Sequence, residues 1–107
     1  RDKTKRPEMG LIAQKLADRI IVTSDNSRTE KTSDIMADIK TGMDISGRAR
    51  SLFIEDREEA IRTAIMLAGP GATILLAGKG HETYQIIGNE KRHFDEKETV
   101  TEIFNTL

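Results

Sequence analysis

The sequence contains no cysteine and no tryptophan, and its only aromatic residues are three Phe and one Tyr. Without cysteine, neither a disulfide framework nor a thiolate metal site can form. A hydrophobic core must therefore be built from Ile, Leu, Val, Met and Ala. No apolar run is long enough to span a bilayer, and no signal-peptide pattern opens the chain. We therefore expect no membrane partner and a cytoplasmic location, which the lack of cysteine also fits.

An excess of charge of either sign is missing as well. Charged residues make up 33% of the chain, yet the net charge is only -1. Non-specific nucleic-acid binding requires a clear cationic excess, so we expect no nucleic-acid partner. With 107 residues, the chain is predicted to form a single domain over residues 1–107. It opens abruptly on Arg1-Asp2-Lys3, which suggests a piece of a longer protein.

Helical and strand-like apolar patterns alternate along the chain. Helices are predicted to begin near Pro7, Thr32, Asp56 and Asp95. Short buried strands are predicted at 20–23, 52–54 and 74–77, followed by a β-hairpin over 84–94. Short connections between alternating elements favour right-handed crossovers, so the first three strands should be parallel. The predicted class is α/β, a three-layer Rossmann-like sheet that is mostly parallel with an antiparallel edge hairpin.

Three further expectations concern local structure. The first helix carries an apolar stripe that includes Met9, Ile12 and Leu16. The basic segment 1–6 is expected to be a frayed terminus. The polar segment 44–51 is interpreted as a connection between elements.

The stretch from Gly78 to Glu82 has the most distinctive chemistry in the chain. It places Lys79 and His81 around a second glycine, directly after an apolar strand. Ligands of open α/β sheets bind outside the carboxyl ends of the strands. Glycine lets backbone N–H groups approach an anion closely, and Glu82 could bind an amine. A tight strand exit with solvated charges is the alternative interpretation.

A second polar loop, Asp25-Asn26-Ser27-Arg28, follows the first predicted strand. The planar fork of Arg28 matches the two oxygens of a carboxylate, and the Asp and Asn side chains could receive an ammonium or amide group. An ordinary turn is the alternative, because Asp, Asn and Ser commonly bond their own backbone. Since parallel strands end at the same edge of a sheet, the two loops can face one pocket.

Two kinds of site are excluded by pattern. The only histidines, His81 and His93, have no metal-ligand spacing with carboxylates, so no metal site is predicted, and His93 is expected on the surface. Neither G-x-G-x-x-G nor G-x-x-x-x-G-K-[ST] occurs. If ATP is used, its main phosphate contacts therefore lie outside this chain.

Three separated motifs resemble one enzyme family. Arg-Asp-Lys-Thr-Lys-Arg-Pro at the start, Asp-Asn-Ser-Arg, and Gly-Lys-Gly-His-Glu with Thr-Tyr-Gln-Ile-Ile are similar to motifs of the Mur ligases that add the third residue of the peptidoglycan stem peptide. The resemblance runs from end to end of the chain. It implies that the chain is the later part of the carboxy-terminal, amino-acid-binding domain of a three-domain ligase.

The resemblance also implies an activity for the full-length enzyme. ATP with Mg²⁺ activates the D-Glu carboxylate of a UDP-linked muramoyl dipeptide, and the amine of a diamino acid then forms the amide. Both cofactors would be held mainly by a domain absent here, and the dipeptide would contact the other domains. The fragment alone is expected to be inactive, with no catalytic residue of its own.

Individual residue roles follow from the same resemblance. The residues implied to contact meso-diaminopimelate are Arg1, Asp25, Asn26, Arg28, Gly78 and Glu82. Arg28 would face the distal carboxylate and Glu82 the distal ammonium, while Asp2 and Lys3 would approach ATP. The family motif that marks meso-diaminopimelate selectivity reads Asp-Asn-Pro-Arg, and Ser27 stands in place of its proline. Because proline fixes φ, Ser27 should leave the loop looser, which weakens binding but keeps selectivity.

Two other functions remain open from the residues alone. One is a non-catalytic α/β module that binds a small zwitterion or anion. The other is a protein-interaction domain whose two polar loops bind no small ligand.

Overall fold

A computed structural model describes residues 3–27, 29–78, 82–87 and 89–107. After a 3-10 turn at Lys3–Lys5, the helices are α1 (Arg6–Leu16), α2 (Thr32–Lys40), α3 (Ile45–Ala49), α4 (Arg57–Leu67) and α5 (Glu96–Asn105). The strands are β1 (Ile20–Val22), β2 (Ser51–Phe53), β3 (Tyr84–Ile87) and β4 (Glu90–His93). None of these helices is long and apolar enough to cross a bilayer.

The strands form one parallel and one antiparallel pair. Strands β1 and β2 run parallel, with Ile20 opposite Ser51 and Val22 opposite Phe53. Strands β3 and β4 form the antiparallel hairpin, with Ile87 opposite Glu90 at the turn. The predicted Rossmann-like α/β class with an antiparallel hairpin is confirmed.

The third parallel strand, predicted at 74–77, does not form. This segment has no ladder partner among the described strands, and Leu75 is 86% exposed. The carbonyl oxygen of Ala77 instead accepts a hydrogen bond from the Arg57 guanidinium at 3.0 Å. An apolar run predicts burial, but a strand also needs a neighbour whose backbone groups pair with its own. That neighbour cannot be read from the run itself.

Helix α1 packs on α2 through its small and polar side rather than through its apolar stripe. Gly10 is buried, and a Cβ added there would overlap the carbonyl oxygen of Ile39. Met9 and Leu16 of the predicted stripe are exposed. The close approach of the two helix backbones requires the smallest residue on the contact face, and this requirement overrides the apolar periodicity.

A short helix, α3, replaces the connection that was predicted over 44–51. Asp44 caps it, because its Oδ1 accepts a hydrogen bond from the backbone N–H of Gly47 at 2.8 Å. The capping Asp was the available signal, but a glycine inside a five-residue helix obscures the pattern.

The core that supports the loop after β1 is small and aliphatic. Val22, Met36 and Met43 are buried together, and Ile39 and Phe53 pack against them. Val22 is the last residue of β1, so this cluster fixes the point at which the following loop begins.

The basic start of the chain is not a frayed terminus from Lys3 onward. Arg6 is only 5% exposed. Its guanidinium donates to both Glu30 carboxylate oxygens, at 2.7 and 2.9 Å, and to Asp38 Oδ2 at 2.9 Å. The hydrogen bond from Arg6 is the main cause that lowers the pKa of Glu30. Arg6 therefore anchors the far end of the loop that follows β1.

We expect Arg6→Ala to lower the melting temperature of the chain by about 5 °C or more, because it leaves two carboxylates without their shared cation. The lowered pKa of Glu30 means that this stabilisation is complete above the ordinary value of 4.5 and is lost as the pH falls through the folded-state pKa. Thermal unfolding at several pH values tests this, with exposed Arg19→Ala as the control. A difference that persists undiminished in strong acid would contradict it.

Candidate functional site

The loop after β1 is held in place by the hairpin. The side-chain amide of Gln85, in β3, donates to Ser24 Oγ at 2.8 Å and to the Asp25 carbonyl oxygen at 3.3 Å. The Ile86 backbone N–H donates to Asn26 Oδ1 at 2.8 Å. Ser24, Asn26 and Gln85 are all buried. Docking of β3 therefore fixes Ser24, Asp25 and Asn26.

Asn26 links the two polar loops directly. While its Oδ1 accepts from Ile86, its Nδ2 donates to Glu82 Oε1 at 3.2 Å. Both ends of the amide are thus used inside the protein. The Glu82 carboxylate is thus oriented by the Asn26 side chain, and the Tyr84 hydroxyl also donates to its Oε2 at 3.5 Å.

Gly78 lies beside Asp25, which belongs to the loop after β1. A Cβ built on Gly78 would lie 3.6 Å from Asp25 Oδ2, so the first residue of the glycine stretch is next to that carboxylate. Gly78 has φ +104°, a conformation that residues with a side chain rarely adopt. Glycine is required here by the backbone, whatever binds nearby.

Four of the predicted contact residues are therefore brought together: Asp25, Asn26, Gly78 and Glu82. Arg1, Asp2 and Arg28 lie outside the described residues, so their predicted roles stay predictions. Lys3 lies elsewhere, with its ammonium 4.0 Å from the Glu30 carboxylate and its side chain 70% exposed. His93 is on the surface as predicted, where its ring contacts Glu98 at 3.0 Å.

The described part of the site carries two carboxylates, on Asp25 and Glu82, and the Asn26 amide and the Tyr84 hydroxyl both donate to the second of them. Such an arrangement suits an ammonium group, because carboxylate oxygens accept its N–H hydrogen bonds with the help of charge. Arg28 and Lys79 are the cations that these loops carry in sequence, and both lie outside the described residues. A zwitterionic ligand would need one of them for its own carboxylate.

A shallow cavity of about 370 Å³ lies near the end of the same loop. Its described lining is Thr29, Glu30, Lys31, Thr32, Ser33, Glu55 and Ile87. None of the described residues that were predicted to contact the amino acid lines this cavity. We therefore place the candidate site at the Asp25–Glu82 cluster rather than in this cavity.

Some residues that hold the two site loops in place were not predicted from the sequence. Gln85 is a polar residue inside an otherwise apolar strand, and this interruption was the available signal. Arg57, at the start of α4, donates to the carbonyl oxygens of Ser24 and Ala77. Nothing in its local sequence distinguishes it from an exposed helical arginine.

Ser27, which stands where the resembling motif has proline, is buried with no partner for its Oγ among the described residues. A buried hydroxyl without a partner costs about 1–3 kcal/mol relative to an apolar group. A site shaped for the apolar ring of proline would leave such a hydroxyl unsatisfied.

We therefore expect Ser27→Ala to raise the free energy of unfolding by about 1 kcal/mol. Ser24→Ala is the matched control of opposite sign, because the Ser24 hydroxyl accepts a hydrogen bond from Gln85. Urea unfolding of both variants measures the two changes. Equal destabilisation of both would show that the Ser27 hydroxyl does have a partner.

The described geometry defines a Rossmann-like α/β domain whose polar loops converge beyond the end of a parallel strand. Residues 1–80 match the pattern of the family described as "Mur ligase, glutamate ligase domain". This match covers most of the chain, and the chain belongs to that family.

Three similar proteins share a name. A UDP-N-acetylmuramoyl-L-alanyl-D-glutamate–2,6-diaminopimelate ligase of Bacteroides thetaiotaomicron is 54% identical over 105 residues, which are 98% of this chain and 22% of that protein. A protein of the same name from Synechococcus elongatus is 57% identical over 99 residues, 92% of this chain and 19% of that protein. A solved structure of a ligase so named superimposes with a TM-score of 0.92 at 42% identity, covering 99% of this chain and 22% of the other. The chain thus spans about a fifth of the length of these relatives.

Proposed function

We propose that the chain is the amino-acid-binding part of the carboxy-terminal domain of an ATP-dependent ligase. This ligase would join meso-diaminopimelate to UDP-N-acetylmuramoyl-L-alanyl-D-glutamate in peptidoglycan synthesis, a cytoplasmic reaction. The hydrogen bond from Asn26 to Glu82 carries the proposal, because it brings together two loops that are 56 residues apart in sequence. Family membership and the names of the relatives support it.

The chemistry of the ligand explains the residue types. The distal end of meso-diaminopimelate carries an ammonium and a carboxylate on one carbon. In the proposal, Glu82 receives the ammonium in the direction that Asn26 sets, and Arg28 holds the carboxylate through its paired donors. Lysine has the distal ammonium but no distal carboxylate, so it would leave the Arg28 fork without a partner. Unpaired polar groups are what let such a site reject an analogue.

The proposed cofactors are held mainly elsewhere. The described residues contain no group of three or more His, Cys, Asp or Glu side chains that could hold a metal ion. ATP would supply the activation of the D-Glu carboxylate from a domain outside this chain. Asp2 and Lys3 are proposed to approach the nucleotide, and Lys3 is exposed enough to do so. The UDP-linked dipeptide would contact the other domains, and the chain alone would be inactive.

A ligation assay on the full-length protein tests the proposal. We expect meso-diaminopimelate, together with UDP-N-acetylmuramoyl-L-alanyl-D-glutamate and Mg·ATP, to release ADP and form the tripeptide product, and lysine to give little product. Binding of meso-diaminopimelate in calorimetry without any ADP release would favour the non-catalytic module. Equal use of lysine and meso-diaminopimelate would contradict the assigned selectivity.

A further inference from the structure

A single buried guanidinium spans the stems of both site loops. Arg57, the first residue of α4, is 5% exposed. One terminal nitrogen donates to the Ser24 carbonyl oxygen at 3.0 Å, and the other donates to the Ala77 carbonyl oxygen at 3.0 Å. These carbonyls belong to the residues immediately before Asp25 and Gly78.

Glu96 holds this guanidinium from the opposite side. Its Oε2 accepts from Arg57 Nε at 2.8 Å and lies 2.6 Å from a terminal nitrogen. Glu96 is the first residue of α5, where the helix dipole favours a negative charge, and its side chain is 13% exposed. The pair neutralises the buried charge and leaves the orientation of the planar fork fixed.

The hydrogen bond from Arg57 to the Ala77 carbonyl oxygen connects the segment before Gly78 to the loop after β1. The segment 74–77 has no ladder partner among the described strands, and the Arg57 hydrogen bond ties its end to the loop after β1. Two carbonyls that receive donors from one rigid group cannot change their separation freely. The distance between Asp25 and Gly78 is therefore set one residue away, at Ser24 and Ala77.

We propose that Arg57, oriented by Glu96, is a positioning residue that sets the spacing of the two loops which bind the amino acid. This inference rests on the proposed function. Arg57 touches no ligand itself and acts through the backbone of its two neighbours. Lysine in its place would keep the charge but lose the fork that reaches both carbonyls.

The test compares Arg57→Lys and Glu96→Gln in the full-length ligase, with Arg62→Lys as the matched control. Arg62 lies on the same helix with its side chain 37% exposed, and its ion-pair distances are 3.6 and 3.8 Å. Small misplacements of binding groups cost about tenfold to 100-fold in activity. We expect Arg57→Lys to raise KM for meso-diaminopimelate about tenfold while KM for ATP changes less than about twofold. Glu96→Gln should shift the same constant about threefold in the same direction, and Arg62→Lys should change neither.

A purely structural role predicts a different pattern. Partial unfolding would lower kcat and leave both KM values unchanged, and that result would overturn the positioning role. Equal rises in KM for meso-diaminopimelate and ATP would overturn it too. If Arg57→Lys does not fold, Glu96→Gln decides the question with the guanidinium still present. Failure of the wild-type ligase to use meso-diaminopimelate would overturn the proposed function as well, which separates the two failures.

Discussion

Arg28→Ala in the full-length ligase is expected to raise KM for meso-diaminopimelate by about 100-fold, with KM for ATP changed less than about twofold. Removing one partner of a desolvated charged pair costs about 2–5 kcal/mol, or roughly 30-fold to several thousand-fold in affinity. Both flanks of this residue are fixed, since Ser27 is buried and Arg6 holds Glu30.

Two comparisons sharpen this prediction. Arg28→Lys keeps the charge but loses the fork, so it should cost about tenfold in KM, less than alanine. Arg19→Ala, an exposed arginine before β1, should have no effect on either substrate. Steady-state kinetics with each substrate varied in turn measures these constants. Equal loss for meso-diaminopimelate and ATP would count against the assigned role of Arg28.

Asn26→Asp is expected to reduce both folding stability and ligand binding. The substitution is isosteric, but it replaces the N–H donor that lies 3.2 Å from Glu82 Oε1 with a second anion. Two facing carboxylates, one of them buried, should lower the free energy of unfolding by about 2–3 kcal/mol. The redirected Glu82 should raise KM for meso-diaminopimelate by about tenfold or more. Asn89→Asp, in the exposed hairpin turn, is the matched control.

A second substitution separates bracing from ligand binding. Combining Asn26→Asp with Glu82→Gln reverses donor and acceptor, so the hydrogen bond can form again. We expect folding stability to recover by at least half, whereas meso-diaminopimelate binding stays weak because the charge that receives the ammonium is gone. Chemical unfolding and calorimetry on the same samples give the two readings. Recovery of binding together with stability would show that Glu82 only braces the loops.

Local signals predicted the parts of the fold that depend on local chemistry. Asp56 caps α4 by accepting from the Glu59 N–H at 2.9 Å, where that helix was predicted to begin. Asp95 caps α5 at its predicted start by accepting from the Lys97 N–H at 2.9 Å and the Glu98 N–H at 3.4 Å. Helix α2 and the hairpin also have the predicted positions.

Features that depend on distant partners were not predictable. The apolar run at 74–77 gave no indication that a pairing strand is absent among the described residues. The burial of Gly10 instead of Met9 depends on where α2 lies. Arg6 belongs to a basic segment that was predicted to be frayed, but in the structure its guanidinium is bound by Glu30 and Asp38.

The candidate site likewise contains residues that the sequence predicted and residues whose contacts depend on distant elements. Asp25, Asn26, Gly78 and Glu82 were predicted as contacts because their motifs carry the resemblance, and parallel strands suggested that their loops would meet. The residues that hold these loops, Ser24, Arg57 and Gln85, were missed. Their contacts arise only when the hairpin and two helices dock on the loops, and no local pattern encodes that docking.

A structure of the full-length ligase with meso-diaminopimelate tests the central claim most directly. The account predicts one distal amino-acid centre with its ammonium within about 3 Å of the Glu82 carboxylate and its carboxylate at a similar distance from the Arg28 guanidinium. Asn26 should still donate to Glu82 in that complex. If the two side chains point to different faces of the domain, or the ligand occupies the cavity beside Thr32 and Glu55, the assignment of this site is wrong.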